Sequence, residues 1–170
     1  MEGDSRLSLV DNATADRVAR LIDALAAAGE TVAVAESLTG GLACSTLVHP
    51  AGASRVVVGG AVVYSTDVKA SVLGVDQVLL AERGAVDAAV AVQMAAQIRT
   101  KFGSTIGVAT TGVAGPDPQD GVAVGTVFVA VTSDRGDSVE EHHFSGTRDD
   151  IRWAAVDAAL AILENSLRAE

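Results

Sequence analysis

Apolar residues recur along this chain in two rhythms. Val18, Leu21, Ile22 and Leu25 fall three and four apart, which predicts a helix started by Asn12 or Thr14 and closed by Gly29. Thr31 to Ala35 is a short, β-branched apolar run of the kind that forms a buried strand. It runs through Glu36, Ser37, Leu38, Thr39, Gly40 and Gly41 into a helix whose stripe is Leu42, Leu47 and Val48; His49-Pro50-Ala51-Gly52 breaks that helix. A second strand is expected from Arg55 to Tyr64, where Gly59-Gly60 marks a bulge or a close backbone approach. Ser65 can cap a short helix ended by Gly74, and a linker with Gly84 leads to a longer helix from Asp87 to Phe102. Val90, Met94 and Ile98 line its inner face and Gly103 stops it. A third strand covers Thr105 to Thr110, and VAVGTVFVAVT and SVEEHHFS are a fourth and fifth, joined by a Ser133–Gly136 turn. The last helix runs from about Thr147 to Leu167, with Ile151, Val156, Leu160 and Leu163 inside.

Strands separated by helices pair in parallel through right-handed crossovers, while the late hairpin adds antiparallel strands. The expected class is α/β: three layers, α/β/α, around a mixed, partly parallel sheet. Residues 1–11 read as a flexible leader and 12–170 as a single domain.

Composition narrows the function. With 49% hydrophobic but only 3% aromatic residues, Ala, Val and Leu must fill the core. A net charge of −10 argues against nucleic-acid binding, which needs clustered cations, and against anionic lipid surfaces. No apolar run approaches the roughly twenty residues that cross a bilayer, so no membrane partner is expected. The N-terminus lacks the basic start and apolar block of a secretory leader, and the single cysteine, Cys44, permits no internal disulfide. A cytoplasmic protein is expected, with Cys44 in the core. His142 and His143 are neighbours in a strand and face opposite sides, so no metal site is expected.

Three polar loops leave the carboxyl ends of predicted strands, where ligands gather in such sheets. They are Glu36–Gly41, Tyr64–Lys69 and Thr110–Pro116. If they converge, a serine, a lysine, a tyrosine and a threonine meet beside glycine-rich backbone. That set suits nucleophilic acyl chemistry, because a desolvated lysine takes a serine proton as histidine does elsewhere. Ser37 has a second reading, as a helix N-cap. Lys69 also reads as a solvated helix lysine, and Arg148 and Arg152 as partners of Asp149 or Asp150. Asp117 and Asp120 read as solvated loop carboxylates.

AESLTGG, GGAVVYSTDVK, the later GAV, TTGVAGP with VGTVFVAV, and FSGTRDDIR occur in this order. Together they resemble the C-terminal domain family of CinA proteins, members of which are known as nicotinamide-nucleotide amidohydrolases. The similarity spans about Asn12 to the last helix. The resemblance implies hydrolysis of the amide of nicotinamide mononucleotide to nicotinic acid mononucleotide and ammonia, a pyridine nucleotide salvage reaction without a cofactor. By motif, Ser37 resembles the nucleophile and Lys69 its activator, with Tyr64 in the same motif. The expected substrate-binding set is Glu36, Thr39, Gly40, Gly41, Thr111, Gly112, Gly115, Arg148 and Arg152. Within it, backbone N–H groups at Thr39–Gly41 or Gly112 would hold an oxyanion, and Arg148 or Arg152 the substrate phosphate. Glu36 would orient Lys69 or bond to backbone. Leu38 stands where the family often has Cys, which leaves the serine as nucleophile. Thr147 stands where many members have Asp, and PDPQDG replaces a more glycine-rich loop. Some members carry a further N-terminal domain linked to pyrophosphatase activity, which is not expected here. The alternatives are a nucleotide-binding or regulatory module without turnover, or an amidase for another small amide. A homo-oligomer is expected.

Overall fold

The computed structural model describes residues 10–168. In chain order its elements are α1 (Asn12–Ala28), β1 (Val32–Glu36), α2 (Leu42–Leu47), β2 (Val57–Val62) and α3 (Thr66–Val68), which runs into a π-helical turn at Lys69–Leu73. α4 (Gln77–Arg83), α5 (Ala88–Phe102), β3 (Ile106–Gly112), β4 (Thr126–Ser133), β5 (Gly136–His143) and α6 (Arg148–Arg168) follow. The strands form one sheet in the order β2-β1-β3-β4-β5. β1 pairs in parallel with β2 and β3, and β3-β4-β5 is antiparallel, which is the expected mixed sheet.

The inner strands alternate large and small residues, and this alternation assigns the layers. Val32 and Val34 of β1, Ile106 and Val108 of β3 and Val127, Val129 and Val131 of β4 face α1, α2 and α6. Ala33, Ala35, Ala109 and Ala130 face α5 and the Lys69–Leu73 turn. Apart from Phe128 of β4, which packs on the second face, side chains of these positions are large on the first face and small on the second, so α5 lies close against backbone. At Gly107 an added Cβ would run into Ala95 O and Arg99 Cβ of α5.

Both expectations for Gly59-Gly60 hold. The β1–β2 register slips between Val32 and Ala33, so Val58 is the extra residue of a bulge, and a Cβ on Gly60 would lie 2.9 Å from Cys44 Sγ. Val18, Leu21, Ile22 and Leu25 are buried, as are Val90, Met94, Ile98, Ile151, Val156, Leu160 and Leu163.

Other expectations are corrected. The α1 cap is Asp11, which accepts from Thr14 N–H, rather than Asn12 or Thr14. Of the residues read as a leader, 1–9 lie outside the described residues, while Val10 is buried. The linker before Gly84 contains α4, started by the Asp76 carboxylate accepting from Val78 N–H. Val48 is exposed rather than part of the α2 stripe, because α2 ends one residue earlier. Cys44 is only half-buried, at the edge of the core instead of inside it.

Candidate active site

Three strands end at the same edge. Glu36 lies opposite Val62 on one side and Thr110 on the other, so the loops after β1, β2 and β3 leave the sheet side by side. They converge on a cleft of about 370 Å³, within the range of small-molecule sites. Ser37, Tyr64, Lys69, Thr111, Gly112, Gly115 and Arg148 all line it.

Lys69 is the centre of this arrangement. Ser65 caps the short helix, and the chain then widens into the π turn, which carries Lys69 inward beneath the first loop. The side chain is 1% exposed. Its Nζ lies 3.0 Å from Ser37 Oγ, 2.9 Å from Val63 O and 3.2 Å from Tyr64 O. No carboxylate among the described residues balances its charge, and burial pulls its pKa from 10.5 down to about 8. A neutral amine has two N–H bonds and one lone pair. As an ammonium Lys69 donates to Val63 O, Tyr64 O and Ser37 Oγ; once neutral it keeps two N–H bonds for the carbonyls and turns its lone pair to the Ser37 hydroxyl.

Ser37 is not a helix cap. The α2 cap position is Gly41, and the helix start is held by Glu36, whose buried carboxylate accepts from Gly41 N–H (2.9 Å), Ala43 N–H (3.0 Å) and Cys44 N–H (2.8 Å). Three charge-assisted hydrogen bonds and the positive end of α2 stabilise that carboxylate without a cation. Glu36 therefore lies behind Ser37, bonded to backbone and not to Lys69. Gly41 has φ +101, which lets the chain turn sharply into α2 beneath Val62.

Two of the expected oxyanion donors of the first loop are already engaged, while Thr39 N–H makes no hydrogen bond among the described residues. Gly40 N–H donates to Ser37 O at 3.1 Å and Gly41 N–H to Glu36. Gly112 belongs to β3 opposite Val127, and a Cβ there would meet Thr126 O at 2.7 Å. Leu38, which also lines the cleft, has an N–H that makes no hydrogen bond among the described residues. Thr39 is fully buried, its hydroxyl 2.8 Å from that of Thr110. Thr39, Gly40, Gly41, Glu36 and Arg152 stand behind the cleft wall rather than in it.

The two arginines separate. Arg148 donates to Tyr64 Oη at 3.0 Å and to Gly115 O, tying the second and third loops together at the mouth of the cleft. Arg152 donates to Leu38 O and Thr39 O and pairs with Asp149. Thr147 starts α6 by a reciprocal pair: its N–H and Oγ1 lie on Asp150 Oδ2, and Asp150 N–H donates back to Thr147 Oγ1. Threonine thus does at this position what an aspartate cap does elsewhere. Thr111 donates to Ala85 O at 2.6 Å, which fastens the third loop to the segment before α5.

Several lining residues escaped the sequence reading. Ser65 and Thr66 belong to the YSTDVK motif and were within reach of it; Asp117 and Gln119 come from the polar loop after Gly115. Ala85 and Val86 arrive from between α4 and α5 with no chemical signal in their residue types.

The geometry has relatives. The sequence model of the CinA C-terminal domain matches residues 14–167. The CinA-like protein of Frankia casuarinae is 47% identical over 137 residues, covering 81% of this chain and 32% of that protein. The CinA-like protein of Geobacter sulfurreducens is 42% identical over 166 residues, covering 97% of this chain and 40% of that one. The chain spans about a third of the length of the first curated relatives it matches. Among solved structures, the competence/damage inducible protein CihA from Agrobacterium tumefaciens superposes with a TM-score of 0.89 at 34% identity, covering 96% of this chain and 100% of that one. A CinA superfamily protein from Escherichia coli gives 0.87 at 27% identity, covering 95% of each chain. With the match running from α1 to α6 and the fold shared along its length, this chain belongs to the CinA C-terminal domain family.

Proposed function

We propose that this protein hydrolyses the amide of nicotinamide mononucleotide, giving nicotinic acid mononucleotide and ammonia, with Ser37 as nucleophile and Lys69 as its general base. The observation that carries this reading is the buried, uncompensated Lys69 Nζ at 3.0 Å from Ser37 Oγ. Neutral Lys69 takes the hydroxyl proton as Ser37 Oγ bonds to the amide carbon. The carbonyl oxygen becomes an oxyanion beside Leu38 N–H, the free donor next to the nucleophile. Lys69 then returns its proton to the amide nitrogen, the C–N bond breaks, and ammonia leaves. Water, deprotonated by the same amine, attacks the acyl-enzyme and releases the carboxylate and Ser37. Leu38, Val86, Val113 and Ala114 supply an apolar wall suited to a flat ring, and Arg148 at the mouth supplies the charge for a phosphate.

Ammonia release from nicotinamide mononucleotide, beside nicotinamide and NAD, tests the proposal. Release from the mononucleotide is expected, with a loss of about 10³-fold or more in kcat for Ser37→Ala and Lys69→Ala at unchanged fold. No release by the wild-type protein rejects hydrolysis of this substrate. Release from a different amide keeps the chemistry and replaces the substrate.

A further inference from the structure

The turn that carries Ser37 is held from outside itself. Gly40 N–H closes it on Ser37 O, and Glu36 takes the N–H groups beyond it. Its two central carbonyls, Leu38 O and Thr39 O, are both bound by one side chain, Arg152 of α6. Nε donates to the first at 3.1 Å and Nη2 to the second at 3.1 Å, while Nη1 donates to Asp149 at 3.2 Å. All three edges of the guanidinium are engaged, and the side chain does not line the cleft. The sequence alone offered Arg152 as a phosphate ligand; its geometry fits another task.

A four-residue turn has one soft motion, rotation of its central peptide, which separates the two common turn types. In Ser37–Gly40 that peptide carries Leu38 O, the oxygen gripped by Arg152 Nε. Rotation breaks that bond, while the second bond, to Thr39 O, fixes the next peptide of the turn. The planar fork of arginine holds two carbonyls at once, which a lysine ammonium at the end of a flexible stem does not reproduce. The turn is thereby anchored on the side away from the cleft, and Leu38 N–H is left unbonded beside Ser37.

We propose that Arg152 is a positioning residue: its guanidinium holds the Ser37 turn in the arrangement that presents Ser37 Oγ to Lys69 and Leu38 N–H to the oxyanion of acyl transfer. The inference rests on the hydrolytic reading of this cleft and adds the device that orients it. It is tested in the purified full chain with Arg152→Gln and Arg152→Lys. The readouts are kcat and KM for nicotinamide mononucleotide, thermal melting, and the rate at which phenylmethylsulfonyl fluoride labels Ser37. In the labelling step Ser37 Oγ bonds to sulfur, fluoride leaves, and the serine proton leaves with it as hydrogen fluoride.

Both variants are expected to lose about 10²-fold in kcat, the scale of one displaced oxyanion donor, with KM within about twofold of wild type. Labelling of Ser37 should slow in parallel. A tenfold or larger rise in KM with kcat kept, reversed by lysine, identifies a phosphate ligand and overturns the proposal. Unchanged labelling also overturns it. If Arg152→Gln does not fold, Arg152→Lys carries the same readouts. A wild-type protein that is labelled but does not hydrolyse the mononucleotide refutes that substrate alone, and the labelling ratio still decides the role of Arg152. A wild-type protein showing neither overturns both.

Discussion

Lys69 shows how one residue acquires chemistry from its surroundings. In the sequence it stands in a short polar helix, TDVKASVL, where a lysine normally points to water. In the fold the π turn rotates it inward, so that its stem packs in the core and its nitrogen meets two carbonyls and Ser37. Under the proposed function, desolvation supplies what a partner base supplies in Ser-His hydrolases. With a pKa of about 8, roughly a tenth of the amine is neutral at pH 7, against less than a thousandth for a solvated lysine. The value of kcat/KM is therefore expected to rise with pH around a midpoint near 8, as read from initial rates of ammonia release. The same shift affects stability. The folded-state pKa lies below the unfolded value of 10.5, so the unfolded chain binds more protons between about pH 8 and 10.5. Across that window Lys69 adds about 2–3 kcal/mol to the unfolding free energy as pH rises, and below it the buried charge opposes folding by a similar amount. Lys69→Met should remove this slope. Denaturant melts should show the variant gaining about 2–3 kcal/mol relative to wild type on going from pH 10 to pH 7. Equal differences at the two pH values would mean that Lys69 is not the buried titrating amine.

At the scale of elements, α2 is the most dependent on its context. Six residues do not hold a helix in water, and this one has no side-chain cap at its own cap position. Glu36, the last residue of β1, substitutes for one by accepting three of its N–H groups. A glutamine there presents an NH₂ where one of two acceptor oxygens is needed, leaving at least one buried N–H without a partner. Glu36→Gln is expected to cost about 1–3 kcal/mol in chemical denaturation. It should also lower kcat, since the Ser37 turn lies between Glu36 and α2. Full stability in the variant would reject this account of how the helix is started. Much of the element order was legible because glycines mark it: Gly29, Gly74 and Gly103 close helices with left-handed φ values of +70, +91 and +64. α4 was not legible. It buries only Leu80 and carries no repeating apolar stripe, so its existence depends on Asp76 at its start and on packing against α5.

For the molecule as a whole, the alternation of Val and Ala in β1 and of Ile, Gly, Val and Ala in β3 sets how far each helical layer stands from the sheet. α5 approaches closest, over Gly107. Gly107→Ala should cost about 3 kcal/mol or more, read as a lowered denaturation midpoint, because the added methyl meets α5 backbone that has no room to yield. A mutational loss below about 1 kcal/mol would show that the layers are not close-packed there. The layers matter for the site as well as for stability. α6, on the Val and Ile face, delivers both arginines, Arg148 to the mouth of the cleft and Arg152 to the back of the serine turn. α5, on the opposite face, covers the turn that carries Lys69. The cleft exists because both layers reach the same strand ends.

The sequence by itself determined the periodicities, the chain breaks and the inventory of chemical groups. Those follow from local backbone preferences and from side-chain type, which every residue carries with it. That was enough for the mixed α/β sheet, for the pairing of motifs with strand ends, and for Ser37, Tyr64 and Lys69 as a set. Only the tertiary structure decided which groups touch. It separated Arg148 from Arg152, four residues apart on one helix, and moved Glu36 from the cleft to the helix start behind it. It also left Leu38 N–H unbonded next to Ser37 and engaged the Gly40 and Gly41 N–H groups that were expected as donors. The reason is that a hydrogen bond, a desolvated charge or a free N–H is a property of neighbours in space, and those neighbours come from five separate segments of this chain.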